Sequence, residues 1–168
     1  MTEFVLDVGC GSMPRGDVNT DVRVSTMYVP NFVRASGEFL PFRREVFDRV
    51  VSINTIEHVP HPELFFSELA RVSKSVVEIA FPHRLGDDKS LWRASNMPHL
   101  HRFNVSWFVV LARKLGLLYQ NDLIGYRHLP FVSNTVNQYL GFVVRLPAQI
   151  TLTFRKPRLN NMMVKVTK

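Results

Sequence analysis

Cys10 is the only cysteine, so no intrachain disulfide can staple this chain. A lone thiol fits a reducing compartment, and a cytoplasmic location is expected. A secretory leader is not expected: Thr2 and Glu3 stand where a basic stretch belongs, and the apolar run behind them is short. Long apolar runs are missing as well. The best candidates, Trp107 to Tyr119 and Tyr139 to Ala148, are each broken by Arg or Lys, which excludes a helical membrane span there. Acids run out early: none follows Asp122. Residues 1–84 carry a net charge of −2 and residues 85–168 one of +9. That imbalance favours an anionic partner such as RNA, a phosphorylated metabolite or an acidic surface.

What is present begins with a short apolar run, Phe4 to Val8, that stops at Gly9-Cys10-Gly11. A buried strand ending in Gly-x-Gly lets a ligand lie almost on the backbone. A second acid, Asp21, falls at the tip of the next candidate strand, Asp17 to Val24, where it can hold both hydroxyls of a ribose. The dinucleotide fingerprint needs a third glycine for a pyrophosphate, and Pro14 occupies that place. A nucleoside cofactor without a pyrophosphate is therefore expected.

The remaining pattern alternates strands and helices. The link over 12–16 is too short for a helical crossover, so a turn or helical stub is expected. Val46 to Ile53 reads as a third strand. A helix starts at Pro62, a first-turn position where its missing N–H costs nothing, and Ser75 to Phe81 reads as a fourth strand. Asn104 caps a helix that runs to Leu115 and stops at Gly116. Leu117 to Tyr126 reads as a strand and 134–144 as a helix. Ile150 to Arg155 and Met162 to Thr167 read as a closing strand pair. The expected fold is a single α/β domain over 1–168, a Rossmann-like three-layer α/β/α sandwich. Its sheet is mostly parallel with an antiparallel C-terminal strand pair, and the core spans 4–124 and 150–168 around a substrate-side insert at about 125–149.

Val5-Leu6-Asp7-Val8-Gly9-Cys10-Gly11 resembles the first motif of class I S-adenosylmethionine-dependent methyltransferases. Three further stretches resemble later motifs of that family in the right order. They are Gly37 to Phe42, then Phe47 to Val51 with Ile56 to Val59, then Pro62 through Glu68 to Val72. The type 11 group, similar to ubiquinone-biosynthesis methyltransferases, is the nearest in pattern, in a form with a shortened first crossover leading to Asn19-Thr20-Asp21.

The resemblance implies S-adenosylmethionine as cofactor. Gly9, Cys10 and Gly11 would pass its methionine part, Asp7 would face its ammonium, and Asp21 would bind its ribose. Ser36, Gly37 and Glu38 would line the adenine side, with Phe39 or Leu40 against the ring, and Asn54 would border the methionine. Ser36 departs from the Asp usual in the family at that point. Asn19 is expected to be a turn or strand-end asparagine, with support of the loop as the alternative, and Glu57 to be a structural hydrogen-bond partner. His58, His83 and His101 are candidate bases, because imidazole titrates near neutrality. His99 and His101 alone make no metal site, which needs a third ligand and a fixed shell, so no metal is expected.

The acceptor is expected to be a small anionic or lipophilic metabolite or RNA. The basic and aromatic segment that includes Tyr126, Arg127, Phe131, Tyr139 and Arg145 can serve any of these, or pack as a homodimer face. Two other functions share the same fold: a non-catalytic cofactor-binding or partner subunit, and an RNA-binding module. Loss of cofactor affinity marks the first, and steeply salt-dependent RNA affinity the second.

Overall fold

A computed structural model describes residues 2–82, 98–128 and 145–157. The chain forms β1 (Val5–Val8), β2 (Val18–Asp21), β3 (Phe32–Arg34), β4 (Phe47–Ile53), a 3-10 turn (Ile56–His58) and α1 (Pro62–Val72). β5 (Ser73–Pro82), α2 (Val105–Lys114), β6 (Leu118–His128) and β7 (Arg145–Arg155) follow. The strands make one sheet in the order β3-β2-β1-β4-β5-β7-β6. β1 to β5 pair parallel, and β7 runs antiparallel to both β5 and β6. The mostly parallel sheet with antiparallel C-terminal strands is the expected one.

Strand alternation sorts the two sheet faces. Leu6, Val50, Val77 and Phe154 are register partners from one strand to the next, and all are fully buried. Their successors Asp7, Val51 and Glu78, with Thr153, share a row on the other face. The apolar face takes both described helices. Phe66 of α1 packs edge-on against Phe108 of α2 and Phe154 of β7, and Phe108 stacks on Phe81 of β5.

α1 forms where Pro62, Phe65, Phe66, Leu69, Ala70 and Val72 recur at helical spacing. Glu63 in its first turn and Arg71 in its last suit the helix dipole. Arg71 also reaches the carbonyls of Phe42 and Leu40, while Glu68 accepts the Leu40 amide, so the helix clasps the loop before β4. In α2 the Asn104 side chain accepts the Trp107 amide, the expected cap.

Several details differ from expectation. β3 was not anticipated: three residues with no apolar alternation leave no local signal. β2 ends at Asp21, short of Val24. The strand pair at the C-terminal edge of the described sheet is β6 with β7, and it takes up residues 125–128 and 145–149, expected in an insert. Pro147 is tolerated in β7 beside a register shift at Gly125/Tyr126. The expected helix over 134–144 and strand over 162–167 lie outside the described residues.

Candidate functional site

Strand order reverses at β1, and ligands bind α/β sheets at the carboxyl ends of strands beside such a switch. Here β1 and β4 end under a cleft of about 520 Å³, within the roughly 300–1,000 Å³ of small-molecule sites. Gly9, Gly11, Asp21, Ser36, Gly37, Glu38 and Asn54 all line it, seven of the nine residues expected to bind cofactor.

The turn after β1 is held by β2. The Thr20 carbonyl accepts the amides of both Gly9 and Cys10, at 2.8 and 3.0 Å. Gly9 has φ +79° and Gly11 φ +54°, left-handed values that glycine adopts without penalty. Asp21 is anchored on both oxygens: Oδ2 accepts the Gly11 amide at 3.0 Å and Oδ1 the Arg23 amide at 2.9 Å. These bonds fix the carboxylate on the cleft wall, and each oxygen keeps a further lone pair to offer a ligand.

On the opposite wall Ser36 Oγ accepts the Glu38 amide, and Glu38 Oε1 accepts the His61 amide at 2.7 Å. Phe65 of α1 and Val59-Pro60 complete that wall. The expected aromatic platform is absent: Phe39 is exposed and Leu40 is buried in the core, neither lining the cleft. Asn54 has φ +51°, a strained value for a side-chain-bearing residue, and two bonds hold it. Its amide donates to the Ala80 carbonyl, and its Oδ1 accepts from Gln149 Nε2 at 2.9 Å.

Two expected cofactor residues lie behind the cleft. Cys10 is buried, and burial followed by the nearby Asp7 and Asp21 charges pushes its thiol up to about 11, so it stays protonated. Asp7 is fully buried on the sheet face opposite Leu6 and does not reach the cleft. Its Oδ2 accepts the Arg15 amide at 2.9 Å, pinning the shortened crossover, and its Oδ1 has no partner among the described residues. Asn19 braces the same segment, the alternative rather than the favoured role, accepting from the Gly16 amide and donating to the carbonyls of Gly16 and Pro30.

Burial raises the Asp7 carboxyl to about 6, against the opposing hydrogen bond and charge of Arg15. The folded state therefore holds the Asp7 proton more tightly than the unfolded chain does. The contribution of Asp7 to stability is therefore fully present below the unfolded value of 3.8 and is lost as pH rises towards 6. Asp7→Asn, which can still accept the Arg15 amide, removes that loss, on the order of 2–3 kcal/mol. Denaturant melts of both proteins between pH 4 and 7 check this: the variant gains on the wild type across the interval, and a constant difference contradicts it.

Of the three candidate bases, His58 is on the cleft wall. Its Nδ1 lies 3.0 Å from the Pro98 carbonyl, which can only accept, so Nδ1 carries the proton and Nε2 the free electron pair. Burial holds His58 below the ordinary imidazole range, against that contact. His101 lines a small adjoining pocket with Glu57, Phe81, Pro82 and His99. His83 lies outside the described residues.

Other cleft residues carry weaker sequence signals. Thr55 Oγ1 donates to the Gly9 carbonyl at 3.3 Å and plugs the space beside it. Arg23 adds a cation next to Asp21. The run of Val22 to Thr26 after β2 was open to suspicion from its place beyond a strand tip.

A family model for the type 11 methyltransferase domain matches residues 16–81. No curated protein matches the chain by sequence. Solved structures share its fold. YcgJ of Bacillus subtilis superposes with a TM-score of 0.63 at 15% identity, covering 93% of this chain and 92% of that one. An S-adenosylmethionine-dependent methyltransferase of Mesorhizobium loti gives 0.65 at 12% identity, covering 92% and 91%. The magnesium protoporphyrin IX methyltransferase of Synechocystis, with S-adenosylhomocysteine bound, gives 0.60 at 15% identity, covering 92% and 74%.

Proposed function

We propose that this chain is a class I S-adenosylmethionine-dependent methyltransferase of type 11, as the domain match over residues 16–81 and the shared fold support, and that it binds its cofactor between Gly9-Gly11 and Asp21 and methylates an anionic acceptor. The observation that carries the binding site is the bipartite anchoring of Asp21. One carboxylate is tied to the glycine turn and to the Arg23 amide, and it lines a cleft with room for a nucleoside. The space above Gly11 supports the fit, since a Cβ there would meet nothing within 4 Å.

Asp21 accepts the two ribose hydroxyls, and the backbone of Gly9 and Gly11 borders the methionine. Ser36, Gly37 and Glu38 hold the adenine side, and Asn54, tied to Gln149, closes the methionine end. Asp7 and Cys10 act from behind, as supports for the turn rather than as contacts. When bound, S-adenosylmethionine supplies an electrophilic methyl group on its sulfonium. The protein aligns an acceptor oxygen or nitrogen behind that carbon and keeps water out. The acceptor proton must leave as the new bond forms, and His58, on the cleft wall, is the imidazole placed to bind or deprotonate the acceptor.

The charge of +9 over residues 85–168 supports an anionic acceptor, a small metabolite or RNA, approaching over the carboxyl strand ends. A partner subunit of the same fold that had lost the cofactor would have no reason to keep the Asp21 anchor. Native mass spectrometry of the protein as purified tests the assignment. A fraction carrying S-adenosylmethionine or its demethylated product is expected after incubation with either. Bare protein at saturating concentrations of both would overturn it.

A further inference from the structure

We propose that Glu57, His58 and His99 form a binding site for one divalent transition-metal ion of the zinc class, at the inner border of the cleft. One ligand atom from each residue lies within 4.8 Å of the others. His58 Nε2 stands 4.0 Å from Glu57 Oε1, and the two imidazole rings meet edge-on at 4.7 Å.

Two segments are stitched together to make this cluster. The Glu57 carbonyl accepts the amides of Leu100 and His101, at 2.7 and 3.2 Å. That pairing lays residues 98–101 along the 3-10 turn and brings His99 onto His58. The Pro98 carbonyl then takes the Nδ1 proton of His58. A metal-binding histidine is normally oriented this way, with one nitrogen donating to a carbonyl and the other offering its electron pair.

That electron pair faces the buried carboxylate of Glu57. An imidazole nitrogen and a carboxylate oxygen at this spacing are both electron-pair donors that one metal ion can draw together. Next door, His101 Nε2 is buried with no partner among the described residues, in a pocket it shares with Glu57 and His99. It supplies a further nitrogen within the same wall.

The donor set selects the ion. Two or more imidazoles with one carboxylate suit zinc, cobalt or nickel, whereas magnesium and calcium want oxygen alone. Two histidines and one glutamate also leave a coordination position for water or an acceptor atom. A tetrahedral ion with bonds of about 2.0–2.1 Å sets its ligand atoms ~3.3 Å apart, so the side chains close in slightly when it binds. His58 lines the cleft, so the ion would border the acceptor side and take over acceptor activation from the free imidazole. The site does not depend on the methyl-transfer assignment, because metal affinity is measured without cofactor or acceptor.

The test is calorimetric titration of the untagged, chelator-treated chain with zinc chloride alone, paired with thermal melts with and without zinc. The expected result is one ion per chain and a raised melting temperature with zinc. His99→Ala, a partly exposed position, should fold normally and lose more than the roughly 10- to 100-fold that outer-shell changes cost. Exposed His61, outside the cluster, should tolerate His61→Ala without loss of zinc affinity. Absence of zinc binding to the wild type would overturn the proposal. So would unchanged affinity in folded His99→Ala.

Discussion

Asp21→Ala lowers affinity for S-adenosylmethionine at least about 100-fold while leaving the chain folded. A hydrogen bond to a charged group is worth about 1.5–3 kcal/mol, and two ribose hydroxyls are at stake. At 1.4 kcal/mol per tenfold, even the low end gives two decades. The carboxylate also positions the turn, so its loss frees the Gly11 and Arg23 amides. Both lie at the cleft edge, where water can replace the missing acceptor, so stability changes little. Asp21→Asn separates charge from shape: it keeps one acceptor, and its affinity should fall between those of the wild type and Asp21→Ala. Calorimetric titration of the three proteins measures this. Equal affinities would move the ribose elsewhere.

Gly9→Ala damages both stability and cofactor binding, whereas Gly11→Ala spares the fold. A Cβ on Gly9 would overlap Thr55 Oγ1 and Cγ2. Thr55 cannot swing away freely, because its hydroxyl is shared between the carbonyls of Gly9 and Ile53. Overpacking of this kind costs about 1–3 kcal/mol, and the left-handed φ about 1–2 more for an alanine. The sum is a large share of the ~5–15 kcal/mol that holds a domain together. Gly11 has a similar φ but open space around it, so only the backbone cost of about 1–2 kcal/mol applies. Denaturation midpoints of the two variants should therefore differ clearly. Equal midpoints would mean that Thr55 does not fill the space beside Gly9.

Where chemistry depends on local pattern, the sequence announced it. The strand that stops at Gly-x-Gly, the acid at the tip of β2, the proline that opens α1 and the Asn104 cap each need only a few neighbouring residues. The abbreviated crossover followed from counting five residues between glycine turn and strand. Asp7 could have been placed better by the same kind of reasoning. Leu6 and Val8 alternate around it, so if they face the helices, Asp7 must face the other way.

What stayed hidden depends on distance along the chain. β3 exists because β2 offers it an edge. Gln149 meets Asn54 across 95 residues. The Glu57–His58–His99 cluster is made by two backbone bonds to the Glu57 carbonyl, which no spacing rule encodes. In the sequence His99 stands beside His101, whereas the fold sets it against His58.

A crystal structure of the chain grown with S-adenosylhomocysteine probes the cofactor site most directly. The ribose hydroxyls should lie within hydrogen-bond distance of the Asp21 carboxylate, with the amino-acid tail running past Gly9 and Gly11 towards Asn54. A ligand bound away from Asp21, or an empty cleft at saturating ligand, would contradict the account.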